Sequence, residues 1–261
     1  MNPYRILAIL KRNFIMIPRD MYRLVDLLYW PVIDIVSWGF TGTGLQQANS
    51  SATLILLTTL VCWQVAYRNN LDISVSILDE LWAKNVVNLF ASPLTLLEWI
   101  ATVMIFGFLR TWWALFFGAF MVWLIFGLHI LGMGLALVPC ILLFVLSGWW
   151  MGFLSGSFII YYGQRLQMLC WVMGWLFAPV SGIFCPIEML PAWGQAVAYC
   201  LPTAYAAKAI RVYLLTGSLD ASLLLTSLVL NSAYLAITIC IFKIAFEKSK
   251  QKGLSRLQEM I

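Results

Sequence analysis

Six stretches of this chain are apolar over lengths close to what a helix needs to cross the roughly 30 Å hydrocarbon core of a bilayer. They fall near Leu24–Gly44, Ala52–Tyr67, Leu94–Leu128, Met133–Tyr161, Met168–Cys185 and Ser222–Phe246. The second is short for a span; the third and fourth are long enough to tilt or protrude. Hydrophobic residues make up 62% of the 261 residues and charged residues 10%, whereas about a quarter of a soluble domain is charged. A soluble globular domain is therefore excluded. The expected fold is an all-α polytopic membrane protein with six transmembrane helices in one domain, and the length leaves no room for a separate soluble one. The opening MNPYRILAILKRNFIMIPRD mixes charge throughout and lacks the pattern of a cleaved signal.

Lys and Arg gather in cytoplasmic connections, and here they are uneven. One side holds Arg5, Lys11, Arg12, Arg19 and Arg23, then Arg68 and Lys84, Arg165, and finally Lys243, Lys248, Lys250, Lys252 and Arg256. The other side has Lys208 and Arg211, and Arg110 lies inside the third run. Both termini are expected in the cytoplasm, in a multi-pass protein. The net charge of +5 follows from this asymmetry and suits anionic headgroups. Nucleic-acid binding would need a basic face, so no nucleic-acid partner is expected. The six cysteines show no CxxC spacing and suit buried thiols. Cys185 and Cys200 share the outer side, which leaves a disulfide open. Asn49-Ser50-Ser51 is a glycosylation sequon that matters only in a eukaryotic source.

Three polar stretches carry structure of their own. Residues 3–17 set Ile6, Ile9, Leu10 and Phe14 against Arg5, Lys11 and Arg12, the pattern of an amphipathic helix in the membrane interface, stopped before Pro18. After the second run, Leu78, Leu81, Trp82, Val86, Leu89 and Phe90 recur at three- and four-residue spacing up to Pro93. Ser76 and Asp79 resemble its N-cap signal. That stripe suits either a helix lying on headgroups or a docking element for a cytoplasmic partner. Between runs five and six, CPIEMLPAWGQAVAYCLPTAYAAKAIR is too proline-broken to cross and too apolar to be a free loop. Short helices dipping into the outer leaflet fit it. Gly148, Gly152 and Gly156 form a repeated GxxxG that lets a second helix approach, within the chain or at a dimer seam.

No catalytic constellation assembles. His129 is the only histidine and has no acid nearby in sequence, which argues against a His-rich metal site and a Ser-His-acid triad. A GxxxxGK[ST] phosphate loop is absent. Glu98 and Glu188 read as isolated interfacial acids. Asp34, in LYWPVIDIVSWGF, is different, because a charge inside a span is costly and normally finds a partner or a wet cavity. Asp26, Trp30, Asp34 and Trp38 are four apart on one helix face, Pro31 invites a kink, and Arg110 is the expected partner. Asp34 is either a structural acid or one lining a transport route. The 13 Trp, 10 Tyr and 16 Phe suit interfacial belts, or surfaces for sugar rings and long apolar tails.

Taken in order, these features resemble the membrane subunit of a type-2 ATP-binding-cassette exporter, the ABC-2 permease family, over nearly the whole chain. The resemblance rests on the N-terminal interface helix (residues 1–20), the YWPxxDxxxWGF pattern from Tyr29 to Phe40, and NLFASPLT. It rests most on Phe184, Pro186, Pro191, Pro202 and Arg211 in the outer segment. It implies a homodimer, or a dimer with a close relative, in a plasma membrane of the bacterial inner-membrane type. Two copies of a separate ATPase would bind the ATP and Mg, so this chain would hold no cofactor and be no enzyme. Residues 76–91, within a segment spanning 72–92, would be the coupling helix, meeting the ATPase through Leu78, Leu81, Trp82, Asn85, Leu89 and Phe90. Residues 186–210, within 185–212, would be outer re-entrant helices, gated by Pro186, Glu188, Pro191, Trp193 and Pro202. Trp30, Asp34, Trp38 and Arg110 would face the dimer seam or the translocation path. Many members carry a glycine shortly after the acidic start of the coupling helix, where this chain has Lys84-Asn85. The implied function is outward movement of an amphipathic substrate, either a lipid-linked glycan or a hydrophobic drug-like compound. A membrane-embedded lipid-modifying enzyme and an assembly protein of a membrane complex are the competing classes.

Overall fold

A computed structural model describes residues 2–16, 21–45, 50–85 and 93–252. Every regular element among them is helical: α1 (Pro3–Met16), α2 (Met21–Leu45), α3 (Ser50–Trp82), α4 (Leu96–Phe126), α5 (Leu137–Tyr162), α6 (Leu169–Phe177), α7 (Ala192–Cys200), α8 (Pro202–Thr216) and α9 (Ala221–Gln251). Local chemistry sets the boundaries. Asn2 caps α1 by accepting the Tyr4 N–H, with Pro3 at the first helical position. Thr95 and Glu98 form a reciprocal capping box at the start of α4, which ends on Gly127 in the left-handed region (φ 67°). Pro202 starts α8, and Asp220 caps α9 through the Ser222 N–H.

Among the described residues three helices are long and apolar enough to cross a membrane: Leu96–Phe126, Ile130–Leu166 (α5 with the 3₁₀ turns flanking it) and Ala221–Gln251. The protein is thus a helical membrane protein, and the other three expected runs depart from the expectation in different ways. The second does not stop at Tyr67, because α3 continues as one helix to Trp82 and its inner half carries Arg68, Asn69, Asn70 and Asp72. The fifth is an apolar helix of only Leu169–Val180, turned at Gly182 (φ 69°). The first forms α2, 25 residues with Pro31 inside, but polar and small residues dilute its apolar character.

Of the expected coupling helix, residues 76–82 are the last turns of α3, and residues 86–92 lie outside the described residues. Ser76 is no N-cap: its hydroxyl donates to the Asp72 carbonyl in mid-helix. The helix ends instead where the Asn85 N–H reaches the Glu80 carbonyl at 2.9 Å and the Lys84 N–H reaches Leu81 at 3.0 Å. Lys84 sits there at φ 52°, the only described non-glycine residue at positive φ. This is a Schellman termination, with lysine where glycine is usual.

Packing around α3 explains the glycine repeat. A Cβ at Gly148 would lie 2.3 Å from the Ala66 carbonyl oxygen, one at Gly152 2.9 Å from the Asn70 carbonyl oxygen, and one at Gly156 2.6 Å from Ile77. The GxxxG face is therefore spent inside the chain, locking α5 onto α3. In lipid, such close backbone approach with dispersion and hydrogen bonding holds helices together, since burial from water drives little. The order of these contacts shows α3 and α5 running in the same direction. Pairs between Gly107 and Asn69 and between Gly118 and Val61 show α4 running opposite to them. One end of the bundle consequently gathers α1, the α3–α4 connection and the ends of α5 and α9. The opposite end carries the short helices α7 and α8.

Candidate functional site

The polar groups of the bundle concentrate on α3. Gln64, Arg68, Asn69, Asn70, Asp72 and Ser74 are all buried, none more than 5% exposed. Polar groups buried among apolar helices need partners, and a different neighbour answers each. Toward α4, Asn69 donates to the Thr111 hydroxyl at 2.8 Å and Asp72 forms an ion pair with Arg110, whose guanidinium lies over the Phe106 ring at 5.4 Å. Toward α5, Asn69 accepts the Trp149 indole N–H at 3.1 Å and Asn70 accepts the Ser155 hydroxyl. Toward α6, Asn70 donates to the Cys170 carbonyl at 2.8 Å. Toward α2, Gln64 donates to Asp34, and the Arg68 charge also acts on that carboxylate.

Asp34 and Arg110, expected to pair, therefore do not. Arg110 is taken by Asp72, which α3 carries beyond the end of the second apolar run. Trp38 turns inward and stacks on Phe184 with ring centroids 4.0 Å apart. Trp30 points outward at 53% exposure, edge-on to Tyr29, and the side chain of Asp26 lies outside the described residues. Gln64 Oε1 and the indole nitrogens of Trp63 and Trp150 are buried with no partner among the described residues.

At the α1 end, two acids tie three elements together. Glu98, buried and not isolated, accepts its own capping partner Thr95 N–H, the Asn2 N–H at 2.7 Å, and pairs with Arg5. Glu80 pairs with Arg12 and accepts the Asn85 amide at 2.8 Å. Leu78 and Leu81 point into the core with no exposure, while Trp82 is 44% exposed. Leu89 and Phe90 lie outside the described residues.

At the opposite end, the prolines do structural work. Pro186 and Pro191 precede the 3₁₀ turn Ile187–Met189 and α7, and Pro202, buried, opens α8 and accepts the Ser227 hydroxyl at 2.8 Å. Trp193 is 69% exposed. Glu188 accepts from Lys208 at 2.9 Å. That ammonium holds the Glu188 carboxyl below its ordinary range, and the carboxylate in turn raises Lys208. Cys185 and Cys200 are both free thiols. A family-model scan and a search of curated proteins both return no match to this chain.

The residues missed from sequence are Gln64, Asn69, Asn70 and Asp72. QVAYRNNLDIS places Gln64, Arg68 and Asp72 four apart, a polar stripe that continues an apolar helix without a glycine or proline to break it; the spacing signals the helix but not its burial.

Proposed function

We propose that this chain is the membrane-spanning permease subunit of an ATP-binding-cassette exporter of the ABC-2 kind, moving an amphipathic substrate outward with ATP hydrolysed by a separate subunit. One observation carries the reading. α3 is a single 33-residue helix, about 50 Å long at 1.5 Å per residue, that runs from the α7–α8 end through the buried polar seam to the α3–α4 connection. That connection is clamped to α1 on both sides, through Arg12–Glu80 and Asn2–Glu98. A force applied there travels along α3 to every helix its polar groups touch. With the basic residues concentrated at this end, the connection and both termini face the cytoplasm, in a bacterial inner membrane. The docking contacts are Trp82 and Asn85 with the residues after them, since Leu78 and Leu81 are occupied within the bundle. Two copies meet across α2 and α4, where Trp30, Phe40, Trp113, Phe116, Phe120 and Trp123 are all exposed and Phe40 meets Phe126 at 5.5 Å. Wide aromatic faces accept sugar rings or apolar tails equally, so the substrate is a lipid-linked glycan or a hydrophobic compound.

The test is purification of the tagged chain from its native host in mild detergent, with mass spectrometry of what accompanies it. A phosphate-loop ATPase in equal amount, lost on Trp82→Asp, supports the reading. Its absence, under conditions that keep a control exporter together, overturns it.

A further inference from the structure

α5 and α9 run side by side in one direction, as shown by Ser147 on Asn231 at 2.8 Å, Phe153 against Phe242 at 5.6 Å and Lys252 on Tyr161 at 2.6 Å. Their last turns leave an open trough of about 380 Å³, lined among others by Phe158, Tyr161, Tyr162, Ile241, Ile244 and Lys248. Its floor is apolar and open among the described residues: Phe158 and Ile241 are each 40% exposed and Ile244 56%. Its rim is different. The Lys252 ammonium lies 4.5 Å from the Tyr161 ring centroid and spends one N–H on that hydroxyl, leaving two. Lys248, one turn earlier on the same face, makes no hydrogen bond or ion pair with the described residues, and none of the described residues lining the trough is acidic. Both helices are long and apolar enough to span the bilayer, so the trough opens at a membrane–water boundary, at the level where tyrosines gather.

An apolar floor under two ammonium groups matches one kind of molecule. A soluble anion would use the rim and leave the floor to water; a neutral lipid would leave the lysines without a counter-charge. We propose that the trough is a binding site for one anionic phospholipid. An acyl chain lies against Phe158, Ile241 and Ile244, and the phosphodiester sits between Lys248, Lys252 and the Tyr162 hydroxyl. Basic pockets between membrane helices recognise such headgroups. The site uses none of the exporter assignment and stands whether or not that assignment holds.

The full-length chain, delipidated in detergent, is titrated with dioleoyl phosphatidylglycerol or dioleoyl phosphatidylcholine. Bound lipid is counted by native mass spectrometry, and the thermal unfolding midpoint is followed in parallel. Phosphatidylglycerol should be retained in one copy and raise the midpoint by mass action, with phosphatidylcholine well behind. Lys248→Gln with Lys252→Gln should weaken it about 30-fold. Ile244→Trp, filling the trough from an exposed position, should displace it with both lysines intact. Equal retention of the two lipids overturns the proposal, as does undiminished phosphatidylglycerol binding in both variants. So does glycerol 1-phosphate competing as well as the lipid, which would mean an anion site without a chain.

Discussion

Glu98 accepts the backbone N–H of Asn2 at 2.7 Å across a separation of 96 residues, while completing the capping box of its own helix. One carboxylate thus fixes where α4 begins and where α1 lies. Glu98→Ala should raise amide hydrogen exchange over residues 3–16 by about tenfold or more, given the strength of hydrogen bonds to a charged group, and leave α5 unchanged. Glu98→Gln should fall between, because glutamine still completes the box but loses the pairing with Arg5. Uniform acceleration across all helices would mean global destabilisation and not a local clamp.

The Asp72–Arg110 pair should show its value only when broken unevenly. Asp72→Leu or Arg110→Leu alone leaves the partner charge buried, at a cost of about 3–5 kcal/mol. Both together should recover most of that loss. Thermal unfolding of the two single variants and the double variant in one detergent measures the coupling; additive losses would show that the two charges do not act as a pair.

Glycines on the α5 seam should differ sharply from those elsewhere. Gly148→Ala and Gly152→Ala push a methyl group into α3 backbone, costing about 1–3 kcal/mol each. Gly132→Ala meets nothing within 4 Å and should be silent in the same unfolding assay. An equal response at all three sites would remove the close-packing explanation.

The Glu188–Lys208 pair gives a predictable pH response. Its hydrogen bond lowers the Glu188 pKa, so the contribution is complete above the unfolded glutamate value near 4.3 and disappears as pH falls through the lower folded value. Lys208 is raised, so the same contribution persists below about 10.4 and disappears as pH rises through the higher folded value. With side chains 58% and 35% exposed, screening holds it to a few tenths of a kcal/mol. The stability difference between the protein and Glu188→Gln should be flat from about pH 5 to 10 and shrink in high salt; a difference that grows on acidification would reverse the assignment.

Lys84→Gly should strengthen the end of α3, relieving about 1 kcal/mol of left-handed strain. The gain should appear as slower exchange at the Lys84 and Asn85 amides, which close the motif.

Much of this architecture was legible in the sequence, because hydropathy and punctuation act locally. Runs three, four and six became the three spanning helices, residues 3–16 became α1, and prolines 186, 191 and 202 marked the breaks before the short 3₁₀ turn, α7 and α8. Asn69, Asn70 and Asp72 were not legible as core. A polar string after an apolar run is the signature of a chain leaving the membrane, and only the arrival of Thr111, Trp149 and Cys170 from distant helices makes it interior. The Asp34–Arg110 pairing failed for the same reason. Sequence counts which charges are available, but helix direction decides which of them share a level.

The glycine seam also governs what can move. Parting α3 from α5 would take Trp149 from Asn69 and Ser155 from Asn70 and open a void along three tight glycine contacts, two of them against backbone. These two helices therefore behave as the keel of the molecule, and the pliable members are those hung from it: α2, with Pro31 inside it and joined to α3 through the half-satisfied Gln64, and α1, held by two carboxylates that a competing charge could pry away. Whatever rearrangement this protein undergoes separates helices beside the keel and not along its seam.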